Sequence, residues 1–235
     1  MTGTTIAFIA LSGLATLVVL LERRRRVGLQ REAFLRDYAF PQGLFERLRK
    51  KRPALDVKQC QLVSLALRQF FLAHLKSGCR YVSMPSQAAD DLWHEFILHT
   101  RAYEAFCRGA FGKFLHHTPA VAVGSSAAAH AGLRRCWWFA CKEDSINPRA
   151  PTRLPLLFAL DAKLGIGDGF RYALDCRAEP RRLGRGDEGG AAAVYCGSDL
   201  AASASDDRFG GGCGGGSGDA GGDGGGCGGG GCGGD

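Results

Sequence analysis

The sequence predicts a mainly α-helical protein in three parts: one transmembrane helix at the N-terminus, a compact helical domain, and a disordered Gly/Cys-rich C-terminal tail. Three observations predict it. A strongly apolar run free of charges, Thr4 to Leu21, is followed at once by Glu22 and Arg23, Arg24, Arg25 and Arg26. Apolar residues then recur at helical spacing through the middle of the chain. Residues 210–235 are glycine with scattered Cys, Asp, Ser and one Ala. The expected divisions are 1–26 for the anchor and its basic flank, 27–53 for a juxtamembrane helical segment, 54–177 for the helical core and 178–235 for the tail.

Eighteen residues at 1.5 Å each give about 27 Å, close to the roughly 30 Å of a hydrocarbon core. A cleaved signal peptide carries its basic residues before the apolar run. Here no Lys or Arg precedes it. The expectation is a retained single-pass anchor with membrane lipid as its first partner. The positive-inside rule places Arg23 onward, and so the bulk of the chain, in the cytoplasm. The formal charge of +7 and pI near 9.0 would suggest nucleic acid. Arg23–Arg26 are better explained as membrane-surface residues, so nucleic acid is not the expected partner. A cytoplasmic domain keeps most of the ten cysteines reduced. No CxxC pair occurs, which excludes a zinc ribbon or a thioredoxin-type motif.

The elements follow in order. Residues 27–53 alternate aromatic and leucine positions (Phe34, Leu35, Tyr38, Phe45, Leu48) with Arg and Lys, and break near Pro41. Such a segment suits either an anionic membrane surface or a solvated helix. Asp56 to Lys76 carries a broad apolar stripe, with Asp56 as N-cap and Gly78 as stop. YVSMP is extended, as the residue before proline prefers. Ser86 opens one long central helix ending at Gly112, with Asp90 and Asp91 early in it, where the dipole favours them. FLHHTPAV is a loop. A helix spans about 126–142, 147–155 is a proline-punctuated connector, and LPLLFALDAKLG holds a short helix. GFRYALDC is extended or irregular. From Ala178 the pattern fades, and the glycines at the end have no apolar neighbours to offset their backbone entropy.

The chemistry concentrates in LWHEFILHT, residues 92–100. A zinc peptidase needs His-Glu-x-x-His, so that two imidazoles one turn apart meet one ion. Here Leu98 occupies that place and the second histidine is His99. A five-residue step turns about 500°, which points the rings roughly 140° apart on a straight helix. Asp90 stands one turn before His94, the spacing of a carboxylate that orients a metal-bound imidazole. Tyr103 lies on a neighbouring stripe. A loop after Gly112 brings His116 and His117 back toward the helix. Three readings stand: a hydrogen-bonded packing cluster, a metal site of His94, Cys107, His116 and His117 with Asp90 and Tyr103 behind them, and a Cys107–His nucleophile pair. Zinc is the expected ion for the second. Trp137-Trp138 beside Arg134-Arg135 suits stacking on a ligand or simple core packing. LDAKLGIGDG lacks the strand–helix setting of a nucleotide loop.

The stretches DDLWHEFILHTRAYEAFC, AFGKFLHHTPA and NPRAPTRLPLLFALD resemble the glycine-rich domain-containing-protein-like family, in particular its bacterial membrane-anchored members. The likeness runs from about Leu55 to Cys176. It implies a mostly helical domain, a bacterial inner-membrane location, and a focus on His94, Tyr103, Cys107, His116 and His117. Plant relatives have Trp-His-x-His in the helix, whereas Phe96 takes the second position here. The resemblance implies no reaction. The function expected is a membrane-tethered binding or scaffolding module with a protein partner. The alternative is a metal- or Cys/His-dependent enzyme using His94, Cys107 and His116 or His117.

Overall fold

The computed structural model describes residues 3–117, 126–174 and 194–202. The first element is a single helix, α1, Gly3–Asp37. At 1.5 Å per residue its 35 residues extend about 52 Å. Its two halves differ. Leu17, Val18, Val19, Leu20 and Leu21 are all more than half exposed. Five consecutive residues cover every face of a helix, so the described side chains of this half show no packed side. The other half is built into the domain. Leu35 is buried, and Phe34 stacks against Tyr38 and Phe106. Arg68 donates to the carbonyls of Leu35 and Arg36, two of the last acceptors of α1, and to that of Tyr38 just beyond it. Glu32, Arg36, Lys76 and Glu143 form a network of ion pairs across three helices.

Among the described residues, no helix is long and apolar enough to cross a membrane. The expected span of Thr4–Leu21 is therefore not found there. The described side chains of the run are Phe8 and Leu11–Leu21.

Helix α2, Leu44–Lys51, buries Leu44 and Leu48 in the same core. The segment 27–53 thus contributes core residues. Helix α3, Val57–Lys76, lies at the centre and buries twelve residues. Asp56 caps it in a reciprocal box with Gln59. Around it pack α4, Gln87–Leu98; α6, Ser126–Glu143; and α7, Leu156–Leu164.

The expected single helix over 86–112 is two helices. Helix α5, Thr100–Phe111, starts afresh after His99, whose ψ of 60° ends α4. A straight helix of that length would extend about 40 Å and carry its second half off the domain. The break instead places Phe106 against Phe71 and Phe96, with ring centroids 4.9 and 5.1 Å away. It also lays α5 along α1.

Residues 194–202, expected within the disordered tail, form β2, Val194–Cys196, and α8, Gly197–Ala202. β2 pairs in parallel with β1, Arg171–Ala173, with Tyr172 opposite Tyr195. Leu200 is buried in the common core. A parallel pair needs long-range contact, which no local pattern announces. The glycine-rich segment 210–235 lies outside the described residues. Cys60, Cys107, Cys136 and Cys141 are free and buried, whereas Cys79 and Cys196 are disulfide-bonded. Four of the six described cysteines are thus reduced, and two are oxidised.

Candidate functional site

The site begins with the placement of α4. Ser86 caps the helix, and the buried carboxylate of Asp161 accepts from Ser86 Oγ and from the amides of Gln87 and Ala88. A negative group at a helix N-terminus meets both free N–H groups and the favourable end of the dipole. Asp91, on the buried face, pairs with Lys51 and Arg52. The next-door Asp90 therefore points outward, on the same face as His94 one turn later.

Their contact is direct. Asp90 Oδ2 lies 3.3 Å from His94 Nδ1. The second imidazole comes from the chain beyond α5. Gly112 caps α5 with φ of 74°, a left-handed conformation that costs an L side chain energy, and turns the chain back. Tyr103 then pins the returning segment: its hydroxyl accepts from Trp93 Nε1 at 3.1 Å and donates to the Leu115 carbonyl at 2.5 Å. Two residues on, His117 Nε2 reaches Asp90 Oδ1 at 2.9 Å. The His94 and His117 rings stand 4.2 Å apart, and the Trp93 ring meets His117 edge-on at 4.6 Å. His117 is mostly covered, whereas the His94 side chain is 44% exposed.

Among the described residues, Asp90, His94 and His117 are the His, Cys, Asp and Glu side chains that converge to hold an ion, with donor atoms within 4.8 Å of one another. Asp90, expected only to orient an imidazole, is thus a direct donor. Cys107 and His116 do not join the group. Cys107 is fully buried on the inner face of α5. Burial pushes its thiol up, a shift that hydrogen bonds to the Leu115 backbone and to Tyr103 only partly oppose. A protonated, enclosed thiol is neither a nucleophile nor a ready ligand. Burial pushes the Tyr103 phenol up as well, so it remains a hydrogen-bond donor. His116 is exposed with its ring 4.8 Å from Phe114. His99 sits at the break between α4 and α5, outside the cluster. Trp137 is core, with Nε1 bonded to the Pro148 carbonyl, and Trp138 faces Lys142 and Arg149.

No curated protein and no solved structure matches the chain. A family model does match, over residues 30–200, and its description is UCP032817-like. That finding overturns the resemblance to the glycine-rich domain-containing-protein-like family. The likeness rested on short stretches around a Trp-His pair. The matched stretch runs from the docked half of α1 into α8, most of the chain, so the chain belongs to the UCP032817-like family.

Proposed function

We propose that this protein is a membrane-tethered binding module: α1 is the tether, and the helical domain is carried on it as one rigid body. The observation that carries the reading is the exposure of Leu17–Leu21 around the whole circumference of α1. A helix that is apolar all round is at home inside a core or in lipid. No core surrounds this one among the described residues, and Phe8, Leu11 and Leu14 extend the exposed run toward the N-terminus. Arg23–Arg26 follow where a bilayer surface would hold them, each adding about 1 kcal/mol on an anionic leaflet. The docked half of α1 supports a fixed orientation, because Arg68 and the Glu32–Arg36–Lys76–Glu143 network leave it little freedom to swivel.

Two signals bear on which side the domain occupies. Arg23–Arg26 favour the cytoplasm. The disulfides at Cys79 and Cys196 belong in an oxidising compartment. The cytoplasmic side of a bacterial inner membrane rests on Arg23–Arg26, and the disulfides at Cys79 and Cys196 count against it. The Cys107–His nucleophile is set aside, because the thiol is enclosed and protonated.

The test is membrane association of the full chain. The wild type is expected to stay with membranes through an alkaline wash. The double variant Leu11→Arg/Leu14→Arg, near the middle of the run, is expected to appear in the soluble fraction with its helical content intact. Each Arg at a membrane centre costs about 2.5–3.5 kcal/mol on insertion scales. A wild-type chain that washes off would end the proposal.

A further inference from the structure

The geometry points to a binding site for a zinc-class divalent cation formed by Asp90, His94 and His117 on the outer face of α4. This goes beyond the tether and does not depend on it.

The donor set selects the metal. Two imidazoles and one carboxylate suit zinc and its first-row neighbours, whereas calcium and magnesium prefer an all-oxygen shell. Three protein ligands leave a fourth tetrahedral position. The exposure of His94 places that position at the solvent side, open to water or to a donor group of a partner. Donors at roughly 2.0–2.1 Å from a tetrahedral ion lie about 3.4 Å from each other. Asp90 already stands 3.3 Å from His94 Nδ1 and 2.9 Å from His117 Nε2. The nitrogens that face the carboxylate are the ones that would ligate, so an ion enters by small ring rotations.

The site is also held in shape. Asp90 and His94 share one rigid helix, anchored at its start by Ser86 and Asp161. His117 is fixed by the Trp93–Tyr103–Leu115 hydrogen bonds and by the face-to-edge contact with Trp93. Buried Tyr103 and Trp93 thus hold the loop that delivers the only donor from outside α4. A carboxylate bridging two imidazoles with no ion is the competing arrangement.

The experiment uses the full chain in detergent, stripped by chelator, with Cys213, Cys227 and Cys232 replaced by serine so that tail thiols bind no metal. Zinc is titrated calorimetrically and counted by elemental mass spectrometry, and cobalt(II) serves as a spectroscopic probe. The expected result is one zinc per chain, with affinity lowered at least about tenfold in Asp90→Asn, His94→Ala and His117→Ala. Cys107→Ser and His116→Ala should bind as the parent does, and the cobalt form should show no thiolate charge-transfer band. Circular dichroism of the metal-free variants establishes that they fold. A folded parent that binds no zinc is a hydrogen-bonded triad only, and overturns the inference. So does zinc retained in His94→Ala and His117→Ala, or lost in Cys107→Ser. A chain that binds zinc yet washes off membranes would leave this inference standing and remove the tether.

Discussion

Asp161 is 2% exposed and accepts four hydrogen bonds, from Ser86 Oγ and from the amides of Gln87, Ala88 and Phe170. It ties α7 to the start of α4 and to the turn before β1, so one carboxylate serves three segments. Gly169 fits against it because a Cβ there would lie 2.6 Å from Asp161 Cβ. Asp161→Asn keeps the shape but removes the charge and turns an N–H₂ group toward amides that need an acceptor. Hydrogen bonds to a charged group are worth about 1.5–3 kcal/mol, and a stranded buried donor costs about 1–3. The variant is expected to lose roughly 2–4 kcal/mol in urea unfolding. A loss below about 0.5 kcal/mol, the level of a neutral surface change, would mean that the buried carboxylate does not organise this junction.

At the scale of elements, α1 and α5 approach closely through a glycine. A Cβ on Gly109 would lie 2.8 Å from Phe34 Cζ, whereas one on Gly28 would meet nothing within 4 Å. Both glycines are helical, so alanine should improve each by about 0.5–1 kcal/mol on propensity alone. Overpacking costs about 1–3 kcal/mol and applies only at Gly109. Gly28→Ala is therefore expected to raise the melting temperature and Gly109→Ala to lower it. Equal shifts for the two would argue against the close α1–α5 crossing. The same crossing explains what the sequence concealed. Helix α3 was legible, because Asp56 and a strong apolar stripe specify it locally. The break at His99 was not, because HTRAYEAF is compatible with helix continuing, and the chain bends to bring Phe106 onto Phe71 and Phe96. In the site, Asp90 and His94 were readable from one-turn spacing. The arrival of His117 depends on the turn at Gly112 and on Tyr103 reaching Leu115, contacts that spacing does not encode. Cys107 misled for the opposite reason: its place on α5 faces the core rather than the loop histidines.

For the whole molecule, the acid limb of stability should carry the signature of His74. Its ring is 5% exposed and meets Phe111 edge-on at 5.0 Å. Nδ1 lies 2.9 Å from the Arg80 carbonyl, which can only accept, so Nδ1 carries the proton of a neutral imidazole. Burial depresses its pKa to about 4 from an ordinary 6.5; the Arg80 carbonyl opposes the shift and nearby Lys113 adds to it. Between those two values the unfolded chain binds a proton that the folded chain refuses. Stability therefore rises with pH across this window, is fully present above about 6.5, and is lost as pH falls toward 4. The contribution is on the order of 3 kcal/mol. Carboxylates act lower down. Burial raises the Glu32 and Glu143 carboxyls, but hydrogen bonds and charge from Arg36 and Lys76 outweigh it and hold both below the usual range. Their share is lost only as pH falls below about 4.5. His74→Gln keeps a donor for the Arg80 carbonyl and removes the titrating ring. Urea unfolding followed from pH 7 to pH 4 should show a flattened slope above pH 5 in that variant, with the steep carboxylate limb retained below. His74 lies on the central helix, so its protonation loosens α3 and the C-terminal end of α5 together, and unfolding should stay cooperative. An unchanged slope in His74→Gln would assign the acid sensitivity to groups outside this core.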